Sequence, residues 1–130
     1  TDNSRLAAIG YCFGGSTVMQ LAYTGADLDA VVSFHGSLPT PNGDEARNIK
    51  GRVVIEHGNA DAFVPTERAE AFKAAMKDAD VNLVFHGYDG VRHGFTNPDA
   101  GSFGLDNLVY DEAADEASWR SMLQNFNAVF

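Results

Sequence analysis

The sequence holds a single cysteine, Cys12, among 130 residues, so no disulfide can form within the chain. That excludes the stapled secreted scaffolds and points to a reducing, cytoplasmic setting, where a reactive thiol survives best. Cations are scarce too. Nine Lys and Arg stand against eighteen Asp and Glu, for a formal net charge of −9, and they form no cluster. Nucleic acid and anionic membrane are excluded as partners on that ground. An anionic substrate would need local arginines. No apolar run is long enough to cross a bilayer and no charged-then-apolar leader opens the sequence. Neither a repeat nor a low-complexity linker divides it. What remains is a chain with 45% hydrophobic residues, enough for one core and short for two, read as a single domain over residues 1–130.

Strand and helix signals alternate along it. Strands are expected at about 5–11, 30–34, 52–56 and 82–86, and helices at about 15–24, 65–78 and 112–129. The stretch from Pro39 to Asp44 reads as a loop by its prolines and glycine, and residues 87–109 as a long glycine-punctuated loop. Ala69, Phe72, Met76 and Ala79 form one helical stripe; Trp119, Met122, Leu123, Phe126 and Phe130 form another, read as core, with Asp111 as its cap. Alternating strands and helices imply an α/β fold: a parallel sheet of about four strands with helices on both faces.

The most informative segment is Ile9-Gly10-Tyr11-Cys12-Phe13-Gly14-Gly15, which follows the apolar run Leu6-Ala7-Ala8-Ile9. It has the spacing of a G-x-nucleophile-x-G elbow, with cysteine where serine is commoner. Such a turn leaves no room for a Cβ at Gly10 or Gly14 and pushes the nucleophile out of the fold. The backbone N–H of Phe13 would then face a developing oxyanion. The plainer reading makes Cys12 a small buried hydrophobe.

A thiol nucleophile needs a base and a group to orient it. In an α/β-hydrolase order, acid and histidine follow the nucleophile at later strand ends. Asp61, after the third strand, and His93, in the loop after the fourth, meet that requirement. His35, His57 and His86 also lie at strand ends, where sites in such sheets form. Their spacing fits no local ligand motif, so no metal is expected. Asp89 and Asp99 are rivals to Asp61, but read as ordinary loop residues.

These motifs resemble the dienelactone hydrolase family of α/β-hydrolases. The matching stretches are Arg5 through Gly15, His57-Gly58-Asn59-Ala60-Asp61 and His93-Gly94-Phe95-Thr96-Asn97-Pro98, with Tyr110 through Ala114 and Trp119 reading like the family's closing helix. The resemblance implies a Cys-Asp-His triad acting on small esters or lactones without a cofactor: Cys12 as nucleophile, Asp61 as orienting acid, His93 as general base. It covers only the family's C-terminal half, a truncated α/β-hydrolase fold. The missing half would supply the opening strands, the second oxyanion N–H and groups that grip a substrate carboxylate. Asn97 stands about where the family tends to place an arginine, and Arg92 lies on the other side of His93.

Loss of that half would leave the first strand as an exposed hydrogen-bonding edge beside Cys12, so self-association is expected, a dimer being favoured. Tyr11, Phe34, His35, Phe63, Arg92 and Phe95 are expected near the substrate, with the aromatics favouring a small, partly apolar acyl group. Two alternatives accompany the hydrolase reading. One is a catalytically impaired half-domain acting as a scaffold or interaction module; the other is a fragment that needs its N-terminal half.

Overall fold

A computed structural model describes residues 1–130. In chain order the elements are β1 (Ala7–Tyr11), α1 (Phe13–Tyr23), β2 (Ala30–Phe34), α2 (Gly43–Asn48), β3 (Arg52–Gly58), α3 (Thr66–Asp78), β4 (Leu83–Tyr88), a 3₁₀ turn (Ala100–Phe103) and α4 (Glu112–Val129). The four strands form one parallel sheet in the order β1-β2-β3-β4, with Ile9 beside Val32, Val32 beside Val54 and Val54 beside Val84.

The period-two alternation of strand side chains sorts the central valines onto two faces. Val31, Val53 and Ile55 pack with Met19, Ala22 and Tyr23 of α1 and with Ala69, Phe72 and Met76 of α3. Val32, Phe34 and Val54 face the other way and meet Met122 and Phe126 of α4. Every residue of β2 is buried, as a parallel strand covered on both sides requires. β1 is different. It is one of the two edge strands, and Leu6, Ile9 and Tyr11 at or beside it remain about two-fifths exposed. No helix is long and apolar enough to cross a membrane.

Several boundaries depart from expectation for identifiable reasons. α1 begins at Phe13 rather than at residue 15, so no connecting loop separates Cys12 from the helix. The stretch read as a plain loop opens α2 at Gly43, and Asn42 caps it. Its Oδ1 accepts the Glu45 N–H at 2.9 Å while Glu45 Oε2 accepts the Asn42 N–H at 3.0 Å. The Asn-x-x-Glu spacing is a capping-box signal that the neighbouring prolines obscured. Asp111 does cap α4, accepting the Ala114 N–H at 2.9 Å.

The α4 stripe needs correction. Met122 is buried and Phe126 packs beside it, but Trp119, Leu123 and Phe130 are 47%, 45% and 44% exposed. The helix instead buries Ala114, Ser118, Ser121 and Asn125 along with Met122. A carboxylate beneath it explains this choice. Glu56 of β3 is fully buried and accepts hydrogen bonds from the Ser121 hydroxyl and, at 2.6 Å, from the Tyr88 hydroxyl. His86 Nδ1 lies 2.9 Å from the Ser121 oxygen. A buried carboxyl must be satisfied, and Ser121 of α4 satisfies it together with Tyr88, while Asn125 accepts from Arg52 at 3.1 Å.

Candidate active site

The site begins at the end of β1, where the strand turns into α1 within one residue. Cys12 sits at φ 54°, ψ −119°, a conformation costly for any residue with a Cβ. Its backbone N–H is held by the Phe34 carbonyl at 2.9 Å, and its side chain is exposed. The buried-hydrophobe reading of this cysteine is thereby removed. Phe13 opens α1, so its N–H belongs to the helix's first-turn donors, which have no partner inside the helix.

The glycines around the elbow divide differently from expectation. A Cβ on Gly10 would collide with the Gly14 carbonyl, and one on Gly15 with the Ser33 hydroxyl, whereas Gly14 itself faces open space. The crossing of β1 under α1 therefore requires glycine at 10 and 15, and the expectation for Gly14 is corrected. We expect Gly10→Ala to destabilise the fold by about 3 kcal/mol, at the upper end for overpacking against backbone that cannot move aside. Gly14→Ala should cost much less. Urea unfolding of the two variants checks the contrast, and equal midpoints would contradict it.

From Cys12 a chain of hydrogen bonds runs inward. Cys12 Sγ lies 2.9 Å from His93 Nε2, and His93 Nδ1 lies 2.7 Å from Asp61 Oδ2. Asp61 follows β3, is 3% exposed, and its other oxygen accepts the Phe63 N–H at 2.9 Å and the Asn107 amide at 3.1 Å. Asn107 in turn accepts the Ala62 N–H at 2.9 Å. No sequence signal singled out Asn107, because its partners lie 45 and 46 residues away.

The electrostatics follow from these contacts. Burial alone would lower the His93 pKa, but the hydrogen bonds to Asp61 and Cys12 outweigh it and hold the imidazole above its ordinary 6.5. Burial would raise Asp61, yet the bonds from His93, Asn107 and the Phe63 N–H outweigh it and keep the carboxyl below 3.8. For His35 the balance is reversed: burial and the neighbouring His93 outweigh the attraction of Asp61 and push it down to about 4. This arrangement can take a proton from a thiol and stabilise the resulting imidazolium.

A cavity of about 660 Å³ opens over Cys12 and His93. Of the residues expected near substrate, Tyr11, His35 and Phe63 line it, with Phe63 edge-on to the His93 ring at 5.0 Å. Three do not. Phe34 is 1% exposed beneath Tyr11, whose ring stacks on it at 4.5 Å; Phe95 is fully buried against His35 and Tyr88. Arg92 turns away and donates to the Asp106 carbonyl at 2.8 Å. Phe34 sits on an inner strand covered by α4, while Tyr11 beside it is on an edge strand, so adjacency to the site in sequence does not guarantee access to it. The walls that sequence reasoning missed come from the loop after β4: Thr96, Asn97, Pro98, Phe103 and Leu108.

The remaining histidines separate. His57 is buried and tilted against Phe85 at 5.7 Å, while His86 belongs to the Glu56 network. Only His35 joins Cys12 and His93. Of the rival acids, Asp89 accepts from the Asn59 amide at 2.7 Å, and Asp99 precedes the 3₁₀ turn.

A parallel sheet with helices on both faces, and a strained cysteine on the turn between β1 and α1, define an α/β-hydrolase fold with a cysteine at its elbow. The chain belongs to the dienelactone hydrolase family, whose profile matches residues 1–130. Among solved structures, one named m3DLH superposes with a TM-score of 0.95 at 38% identity, covering all of this chain and 54% of that one. A dienelactone hydrolase-like promiscuous phosphotriesterase from metagenomic libraries superposes with a TM-score of 0.94 at 40% identity, again covering all of this chain and 54% of the other. The Caenorhabditis elegans protein K02A2.1 is 29% identical over 131 residues, which span 99% of this chain and 83% of that one. A mouse carboxymethylenebutenolidase homologue is 24% identical over 94 residues, 72% of this chain and 38% of its own length. The chain thus spans about half the length of the solved structures that it matches.

Proposed function

We propose that this chain is a hydrolase that uses Cys12 as nucleophile on small, neutral esters or lactones. The observation that supports it is the unbroken path from an exposed thiol through an imidazole to a buried carboxylate, with links of 2.9 and 2.7 Å. In this reading His93 Nε2 takes the thiol proton, and the thiolate forms a C–S bond to the substrate carbonyl carbon as the carbonyl π pair moves onto oxygen. The Phe13 N–H stabilises that oxyanion. The intermediate collapses by expelling the alkoxide, which takes the proton from His93. Water then gives a proton to His93, attacks the thioester and releases the acid and the free thiol. Asp61 keeps the His93 tautomer and stabilises its cationic form throughout.

Neutral substrates fit because the cavity walls carry no lysine or arginine, while Asp115 adds an acid to them. We expect a phenyl acetate to be cleaved faster than the corresponding phenyl hemisuccinate, and a preference for the hemisuccinate would overturn this assignment. The cysteine-nucleophile reading itself is tested by mass spectrometry. Quenched reactions with p-nitrophenyl acetate should carry one acetyl on the peptide containing Cys12. A chain that releases nitrophenol no faster than buffer, with an unmodified Cys12, would refute it.

The exposed β1 edge belongs to the same proposal. An open edge offers unpaired N–H and C=O groups next to the nucleophile, which natural sheets seldom leave uncovered. We assign it to a second copy of the chain, pairing across a two-fold axis. Light scattering should then give a dimer for the native chain and a shift toward monomer for Ile9→Lys. A monodisperse monomer at micromolar concentration would remove this part of the reading.

A further inference from the structure

The floor of the cavity brings together more ligand chemistry than ester hydrolysis uses. Cys12 Sγ, one ring nitrogen of His35 and one of His93 all lie within 4.8 Å of one another. They come from three separate places in the fold: the ends of β1 and β2, and the loop after β4. We propose that this chain binds one Zn²⁺ through the Cys12 thiolate, His35 and His93, with the fourth position open to the cavity, and that the bound ion switches the thiol off.

The donor set is the first argument. One thiolate with two neutral imidazoles suits a borderline-soft cation, and three protein ligands with one open position is a common zinc geometry. Tetrahedral bonds of about 2.3 Å to sulfur and about 2.0–2.1 Å to nitrogen put neighbouring ligand atoms roughly 3.3–3.6 Å apart. The 2.9 Å separation of Cys12 Sγ and His93 Nε2 therefore needs to open by less than an ångström. His35, within 4.8 Å of the other two donors, has to close at most about 1.5 Å.

His35 is the second argument, since the proposed hydrolytic steps give it no task. It is 4% exposed and held at φ 41°, an uncommon setting for a residue with a Cβ. Its ring has one hydrogen-bond partner, the Thr96 hydroxyl on Nε2 at 2.9 Å, and Nδ1 has none. One nitrogen can hold the proton while the other offers its lone pair.

His93 supplies the third. Its Nδ1 is already committed to Asp61 at 2.7 Å, which leaves Nε2 facing the thiol. A carboxylate behind a ligating imidazole fixes its tautomer and raises its basicity, as metal sites require. On binding, the thiol proton goes to solvent, and zinc takes the lone pairs of sulfur and of His93 Nε2. Nucleophile and base are then removed by the same ion. Binding itself does not rest on the hydrolase reading, because it needs only the geometry of the three ligands.

The test is direct binding to the metal-free chain. Competition of Zn²⁺ against a chromogenic chelator should give one ion per chain, and Zn²⁺ should protect Cys12 from iodoacetamide. Co²⁺ should produce a thiolate-to-cobalt charge-transfer band with the visible bands of a tetrahedral site. His35→Ala and His35→Gln should each weaken Zn²⁺ at least about 100-fold, more than the 10–100-fold typical of second-shell changes. Folded His35 variants with unchanged affinity would overturn the proposal, as would a cobalt complex lacking the thiolate band. Zinc-edge X-ray absorption of the wild-type chain decides the matter even where a variant fails to fold. One sulfur and two imidazoles in the first shell support the site; a shell without sulfur, or with one imidazole, overturns it. No readout depends on turnover, so failure of the hydrolase reading and failure of this one are separable.

Discussion

Under the proposed mechanism, Cys12→Ala should bring p-nitrophenyl acetate hydrolysis down to the rate of buffer, a loss of at least about 10³-fold, because deleting a nucleophile that works with a base and an acid removes the function of the whole set. The fold should survive. The thiol is exposed and its side chain bonds only His93, so its removal opens no cavity in the core. Cys12→Gly sharpens the result. The elbow holds residue 12 at φ 54°, where only glycine is at ease, and such strain costs of order 1–3 kcal/mol. The glycine variant should therefore be both inactive and more stable than wild type in urea. That pairing of lost rate with gained stability separates a strained nucleophile from a structural cysteine. A glycine variant that melts earlier than wild type would show that the turn is at rest as it stands.

Asp61→Asn should cost about 10⁴-fold in kcat/KM, the loss typical when the group orienting a catalytic imidazole can no longer hold its tautomer. The pH dependence carries more information than the size of the loss. His93 is held above 6.5 against the effect of burial, chiefly by Asp61. In wild type the acidic limb of kcat/KM should lie above 6.5, and in Asp61→Asn it should move to lower pH as the imidazolium loses its partner. A limb that stays in place would mean that His93 is not the titrating group. Stability should respond to the Asp61 carboxyl itself, at lower pH. The native Asp61 carboxyl lies below 3.8, so its contribution is present above that value and is lost as pH falls through the native pKa. Acid unfolding of Asp61→Asn should lack that step.

Cys12, Asp61 and His93, which the fold joins by hydrogen bonds, stood out in the sequence because each sits beside features that local patterns report: a strand of apolar residues, then a glycine or a turn. The four strands were readable for the same reason, since their valines and isoleucines leave no doubt about period. Access was not readable. Tyr11 and Phe34 are register partners with stacked rings, yet they are 39% and 1% exposed, because β1 is an edge strand and β2 an inner one. The loop that walls the cavity was equally silent, because Asn107 and Leu108 act through contacts made far along the chain. The same holds for Glu56, whose partners Tyr88 and Ser121 come from two later elements.

That buried carboxyl has a consequence for how the last helix finds its seat. α4 carries two competing stripes, one apolar with Trp119, Leu123 and Phe130, the other with Ser118, Ser121 and Asn125. Greasiness alone would choose the first. Glu56 vetoes that choice, because rotating α4 would take the Ser121 donor from its Oε1, at about 1–3 kcal/mol for a buried group that loses its bond. The polar cluster works as a rotational key, trading some adhesion for a single setting of the helix. Replacing Glu56 and Ser121 together with leucine would file the key away, and α4 would be free to turn its tryptophan inward.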